Sequence, residues 1–249
     1  MNGTLYSALL GFGIVCLAAY YVARTTWLEE RLMHYVRSFP NHFAIGDEDT
    51  NSAIRLAVVG DSYARGVGAR VLEGTLGHSL GSLLSEEKGI SVAVTVDGRS
   101  GITLRHTVQH QLPLIEATDY LFISMGENDV LWGISPFRYA ADLQALKKEL
   151  KRFGDAQVML TTTSNLLYVP SLPLWLRRII DYRCRRQNHQ LAKAFKGVKN
   201  VHIIPIYSEG YLDAISNPEL LAIDHFHPSA AGYRFWAELA VRTIHNAAV

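Results

Sequence analysis

Five apolar runs of strand length recur along the chain, each followed by a longer stretch of helical character. The runs are Ile54–Val59, Ile90–Val96, Tyr120–Met125, Val158–Thr162 and Val201–Ile206, and their β-branched content suits strands. Helices are predicted over Leu76–Glu87, Leu104–Ile115, Pro136–Phe153, Leu174–Phe195 and Ala230–Ala247, with Ser135 as the cap before Pro136. Strands alternating with helices make an α/β domain whose mostly parallel, five-stranded sheet is covered on both faces. In such sheets ligands bind beyond the carboxyl ends of the strands. The residues just after each run are therefore where chemistry is expected.

Composition narrows the function classes. With 49% hydrophobic and 19% charged residues over 249 positions, the chain is globular rather than disordered. A net charge of +1 gives no electrostatic case for nucleic acid as a partner. Cys16 and Cys184 are too few for a disulfide framework, and no Cys/His cluster predicts a metal. Gly66-x-Gly68 imitates a dinucleotide loop, but Val71 stands where the third glycine belongs and no Walker lysine occurs. No cofactor is expected.

The N-terminus reads differently. From Gly3 to Ala23 no side chain is charged, and a helix of about 20 residues is roughly 30 Å long, enough to span a hydrocarbon core. Tyr20, Tyr21 and Trp27 suit an interfacial belt. A signal peptide would open with Lys or Arg, yet only Asn2 precedes the run. Residues 1–24 are thus expected to form a transmembrane anchor helix, 25–52 a juxtamembrane segment and linker, and 53–249 the folded domain. Arg24, Arg31 and Arg37 follow the span with nothing basic before it, so the positive-inside rule places the body in the cytoplasm.

Four stretches fall after strands or ahead of the last helix: Gly60-Asp61-Ser62, Ser100-Gly101, Gly126-Glu127-Asn128-Asp129 and Asp224-x-x-His227. A serine hydroxyl becomes a nucleophile when an imidazole accepts its proton, and that imidazole needs a partner to fix its tautomer. Asp224 and His227, three apart, can face each other across one helical turn. Attack on an ester carbonyl places negative charge on oxygen, which backbone N–H groups and a side-chain amide stabilise. Glycine at 101 would let the main chain approach that oxygen with no Cβ in the way.

In this order and at these positions the four stretches resemble the blocks of the SGNH/GDSL hydrolase superfamily, over about Ile54 to Val249. The resemblance implies a three-layer α/β/α sandwich similar to flavodoxin and metal-free hydrolysis of esters or thioesters. It implies Ser62 as nucleophile, His227 as base and Asp224 as its orienting partner. The oxyanion hole would comprise the Ser62 and Gly101 N–H groups and the Asn128 side chain, with Gly98 an alternative donor. Asp129 reads as a structural residue holding its loop, and His225 as pointing elsewhere.

Gly77-His78-Ser79-Leu80-Gly81 fits a nucleophile elbow, but only one strand precedes it and Val71–Leu76 is a poor buried strand. Ser79 is accordingly expected to pack or face outward. Leu166–Leu176 is apolar and proline-broken, and the helix behind it is rich in Arg and Lys with Asp181 its sole acid. This pattern reads either as a core-packing segment followed by an exposed helix, or as a lip that suits an anionic membrane surface and an acyl chain as ligand. The same four blocks serve a membrane-anchored serine esterase or lipase acting on a small-molecule or lipid ester, a glycan O-acetyl esterase or acyltransferase, or a non-catalytic membrane-tethered binding protein.

Overall fold

The computed structural model describes residues 27, 30–46, 53–165, 174–210 and 217–247. The anchor expected over residues 1–24 lies outside them, as does the lip from 166 to 173. Among the described residues no helix is long and apolar enough to cross a membrane.

One sheet organises the fold. Its strands are β1 (His42–Ile45), β2 (Ile54–Gly60), β3 (Val92–Gly98), β4 (Tyr120–Ser124), β5 (Gln157–Thr161) and β6 (Val201–Ile204), in the order β1-β3-β2-β4-β5-β6. β2 to β6 are mutually parallel, and β1 runs antiparallel along the β3 edge. Without β1 the order is the flavodoxin type, in which the chain winds first one way and then the other from its first parallel strand. That reversal opens a crevice between the loops that follow β2 and β4.

Alternation along the strands sends side chains to two separate cores. Leu56, Val58, Val94, Phe122 and Met159 face α1 (Leu76–Lys88) and, later in the chain, the last helix, Ala230–Ala247. Ala57, Val59, Leu121, Ile123, Val158 and Leu160 face α2 (Pro136–Glu149) and the C-terminal half of α3 (Leu174–Phe195). The last helix is α4. Covered faces explain why the strands read as continuous apolar runs.

The sheet has six strands where five were expected. The extra one, β1, lies within Ser38–Ser52, which reads as a linker. Four residues are too few to display a period, and β1 alternates only weakly, with Phe43 and Ile45 half-buried against the core. Its strand identity comes from pairing Phe43 with Val94 across the edge. The helix expected over Leu104–Ile115 is broken into a short α-turn, a π-helical stretch Thr107–Gln111 and a 3-10 turn carrying Pro113. Residues 30–36 are also helical, and Leu32 and Val36 pack on Val67 and Ala222. Arg65 ties this segment down by donating to the Val36 carbonyl and the Asn41 side chain, both at 2.7 Å.

The elbow-like Gly77 and Gly81 sit on the sheet-facing side of α1. A Cβ at Gly81 would stand 2.6 Å from Ile45 Cδ1, and one at Gly77 3.1 Å from Val96. The two glycines allow close helix-to-sheet packing, and Ser79 between them is buried within α1.

Candidate active site

β2 ends at Gly60, whose φ of +131° and 2.0 Å clearance between a hypothetical Cβ and the Ser124 carbonyl admit glycine alone. The chain then turns into one helical turn, Ser62–Arg65, capped by the Asp61 carboxylate accepting from the Tyr63 N–H at 3.0 Å. As the first residue of that turn, Ser62 has an N–H with no intrahelical acceptor.

The Ser62 hydroxyl lies 2.9 Å from His227 Nε2, across 165 residues of sequence. His227 Nδ1 is 2.5 Å from Asp224 Oδ2. The other carboxylate oxygen of Asp224 accepts from the backbone N–H groups of Phe226 and His227, each at 3.0 Å. Burial raises the Asp224 carboxyl, but the hydrogen bond and charge of His227, with the two N–H donors, outweigh it and hold the group below its ordinary range. All three residues are largely withdrawn from water.

The Asp224-to-His227 stretch is a turn-built loop, where sequence spacing suggested a helical turn. Its sharpest bend is at His225, with φ at +55°, which exposes that side chain and aims the next two N–H groups back at Asp224. Tyr63 supports the imidazole from beneath: its ring meets His227 edge-on at 5.4 Å and Trp236 at 5.1 Å.

Gly101 and Asn128 follow β3 and β4, which flank β2, with Gly60 in register with both Gly98 and Ser124. Two hydrogen bonds tie their loops together. Trp132 Nε1 donates to the Gly101 carbonyl at 3.0 Å, and Leu104 N–H donates to Asp129 at 2.9 Å. Gly101 has φ at +78°, and a Cβ there would meet nothing within 4 Å. Glycine is therefore favoured at 101 by backbone conformation, whereas sequence reasoning attributed it to close approach. Among the described residues the Ser62 and Gly101 N–H groups bond no backbone carbonyl, and the Asn128 side-chain amide has no protein partner. Gly98, the alternative donor, is packed so closely on the Arg65 backbone that a Cβ would lie 2.1 Å from its nitrogen.

Beneath these groups lies a floor of buried carboxyls, of which motif reading interpreted only Asp129, as a residue holding its loop. Asp61 Oδ1 accepts from Ser124 at 2.8 Å, and Glu127 Oε1 accepts from both the N–H and the hydroxyl of Ser164 at 2.8 Å. Asp61 Oδ2, Glu127 Oε2 and Asp129 Oδ1 are buried without hydrogen-bond partners among the described residues. Burial, reinforced by Asp61, pushes Glu127 up to about 8, and burial pushes Asp129 up to about 7. Asp61 is raised by burial too. Gln111 crosses between strand ends, donating to the Gly60 and Asp97 carbonyls. Ser124 gave a signal, as a polar residue ending an otherwise apolar strand. Ser164, Gln111 and Trp132 gave none, because their partners lie tens of residues away.

The GDSL-like Lipase/Acylhydrolase family matches residues 58–235. No curated protein matches the sequence. Among solved structures, the lipase Lip_vut3 from a goat rumen metagenome is similar at 19% identity and TM-score 0.60, covering 77% of this chain and 97% of its own. The acetylxylan esterase Axe2 from Geobacillus stearothermophilus aligns at 23% identity and TM-score 0.56, over 78% of this chain and 94% of that one. A lipase/acylhydrolase from Enterococcus faecalis aligns at 22% identity and TM-score 0.55, over 78% and 96%.

Proposed function

The chain belongs to the GDSL-like lipase/acylhydrolase family and is an ester-bond hydrolase, and we propose that it works through an acyl-enzyme formed on Ser62. The observation that carries this reading is the continuous relay from the Ser62 hydroxyl through His227 to Asp224. Ser62 Oγ attacks the acyl carbonyl while His227 Nε2 takes its proton. Asp224 holds the Nδ1–H tautomer and steadies the imidazolium that forms. The oxyanion is received by the N–H groups of Ser62 and Gly101 and the amide of Asn128, donors without protein acceptors among the described residues. Collapse expels the alcohol with the proton from His227, and water repeats the sequence to free the acid.

The remainder of the reading concerns place. The uncharged run Gly3–Ala23 anchors the chain in a membrane, with the folded part of 53–249 on the cytoplasmic side, following Arg24, Arg31 and Arg37. The substrate is then a small or lipid-borne acyl ester. The likeness to an acetylxylan esterase favours one second reading, removal or transfer of an acetyl group on a glycan; products formed with and without a sugar acceptor separate the two.

The test is direct. Ser62→Ala abolishes p-nitrophenyl acetate hydrolysis and fluorophosphonate labelling, while Ser79→Ala retains both. Labelling that survives in Ser62→Ala and disappears in Ser79→Ala overturns the assignment.

A further inference from the structure

The solvent-facing side of α3 is not polar along its first half. Ile180, Cys184, Gln187 and Leu191 are buried. On the opposite side Trp175, Ile179 and Tyr182 are 65%, 52% and 63% exposed, and their i, i+4, i+7 spacing gathers them on one stripe. Arg186 continues that stripe and Arg178 borders it, both exposed. Neither takes part in an ion pair among the described residues. The sole acid of the helix, Asp181, is withdrawn beneath Arg185 and the Tyr207 hydroxyl.

The apolar surface continues across to the start of α2. Arg183 donates to the Ile134 carbonyl at 2.9 Å and Gln190 to the Pro136 carbonyl at 3.0 Å, joining the two helices. Beside that junction Trp132 is 67% and Phe137 85% exposed, with Arg138 exposed next to them. The patch meets the proposed catalytic groups through Trp132, and the opposite, buried side of α3 packs towards them. Trp132 holds Gly101, and Ile180 and Cys184 pack under Phe226, whose ring is 5.0 Å from that of His227.

The N-terminal segment meets the domain at the same end of the sheet. Leu32 and Val36 rest on Val67 and Ala222, and Met33 Sδ accepts from the Ser100 hydroxyl at 3.5 Å. The seven chain steps from Ala23 to Glu30 span at most roughly 25 Å when extended. An anchor at Gly3–Ala23 therefore holds the strand-end face near the bilayer.

From these placements we infer that the Trp175–Ile179–Tyr182 face with Trp132 and Phe137 docks on an anionic lipid bilayer, so that the ester entering the Ser62 site is carried by a membrane lipid. The aromatic side chains suit the headgroup level and the arginines suit anionic phosphates. The inference rests on the ester-hydrolase reading above and names its substrate class.

The experiment uses the full chain reconstituted in phosphatidylcholine vesicles with rising phosphatidylglycerol content. Hydrolysis of a vesicle-borne monoacylglycerol rises with phosphatidylglycerol, while p-nitrophenyl acetate hydrolysis does not. Arg178→Gln/Arg186→Gln lowers the vesicle rate, by roughly fivefold per arginine, and Trp175→Ser/Ile179→Ser lowers it comparably. Both variants keep wild-type p-nitrophenyl acetate turnover, which also reports that they fold. A vesicle rate insensitive to phosphatidylglycerol and to both double variants overturns the inference. Docking is read without catalysis by brominated-lipid quenching, taken as the difference between wild type and Trp175→Phe. An inactive wild type thus removes the Ser62 reading, while the surface stands or falls on the quenching. Absent quenching, with self-association that Trp175→Ser/Ile179→Ser abolishes, assigns the face to a second copy and also overturns the inference.

Discussion

Asp224 and Glu127 are both withdrawn carboxyls at the same end of the sheet, yet the fold shifts their pKa values in opposite directions. Asp224 sits in a loop that surrounds it with donors: two backbone N–H groups and the His227 ring. Glu127 sits fully buried at the base of the β4 loop, where one oxygen receives two bonds from Ser164 and the other receives none among the described residues, with Asp61 close enough to repel it. Deeper burial and the sign of the neighbouring charge, Asp61 against Glu127 and His227 beside Asp224, separate a carboxylate suited to orienting an imidazole from a carboxyl suited to bracing a loop.

The sharpest way to break that contrast is Asp224→Asn. The amide keeps the shape but favours the wrong imidazole tautomer, and a loss of roughly 10⁴-fold in kcat for p-nitrophenyl acetate is expected. A loss of only a few fold would place Asp224 among the bracing carboxyls. Asn128→Ala, which removes the proposed oxyanion donor from the loop that Glu127 and Asp129 brace, is expected to lower kcat by about 10²–10³-fold. KM should change little, since the lost interaction belongs to the transition state. Trp132→Phe deletes the bond to the Gly101 carbonyl, worth about 1 kcal/mol, and is expected to slow turnover by roughly fivefold.

The smallest effect on rate, and the clearest on pH dependence, belongs to Glu127→Gln. Glu127 is raised from its ordinary 4.5 to about 8, so the folded protein holds that proton more tightly than the unfolded chain. Its contribution to stability is complete below the lower value and drains away as pH rises through the upper one. Asp224 has the opposite sign. Held below its ordinary 3.8, it stabilises the fold above that value and the contribution is lost as pH falls through its folded pKa. Glutamine at 127 retains an acceptor for Ser164 and has no proton to lose. Thermal unfolding followed across this range should show a weaker alkaline decline in Glu127→Gln, with activity within about twofold of wild type. Each pKa unit removed corresponds to about 1.4 kcal/mol. An alkaline decline as steep as in the wild type would mean that Glu127 is already ionised in the fold.

The legibility of the site follows the same division. Ser62, Gly101, Asn128, Asp224 and His227 stood out as candidates because each lies in a short motif at the end of a recognisable strand or ahead of the last helix, and the structure joins Ser62, His227 and Asp224 by hydrogen bonds. The bracing residues did not stand out. Ser124 bonds Asp61 across 63 positions, Ser164 bonds Glu127 across 37, and Gln111 reaches back 51 to Gly60. No spacing rule connects such pairs before the sheet is assembled. The strand β1 escaped for a related reason: with only four residues, its identity lies in the β3 edge it pairs with.

What this sequence determined by itself was periodic and local: the strand–helix alternation, hence a parallel sheet with two covered faces, and the positions of motifs at strand ends. These depend on side-chain patterns within a few turns of chain, which the order of residues records directly. What only the tertiary structure decided was which carboxyl lies beside an imidazole and which beside another carboxyl, that Gly101 takes a positive φ, and that the N-terminal segment packs at the proposed catalytic end. Each of these is an outcome of burial and of partners brought together from distant parts of the chain, and both come into being when the sheet closes its neighbours around them.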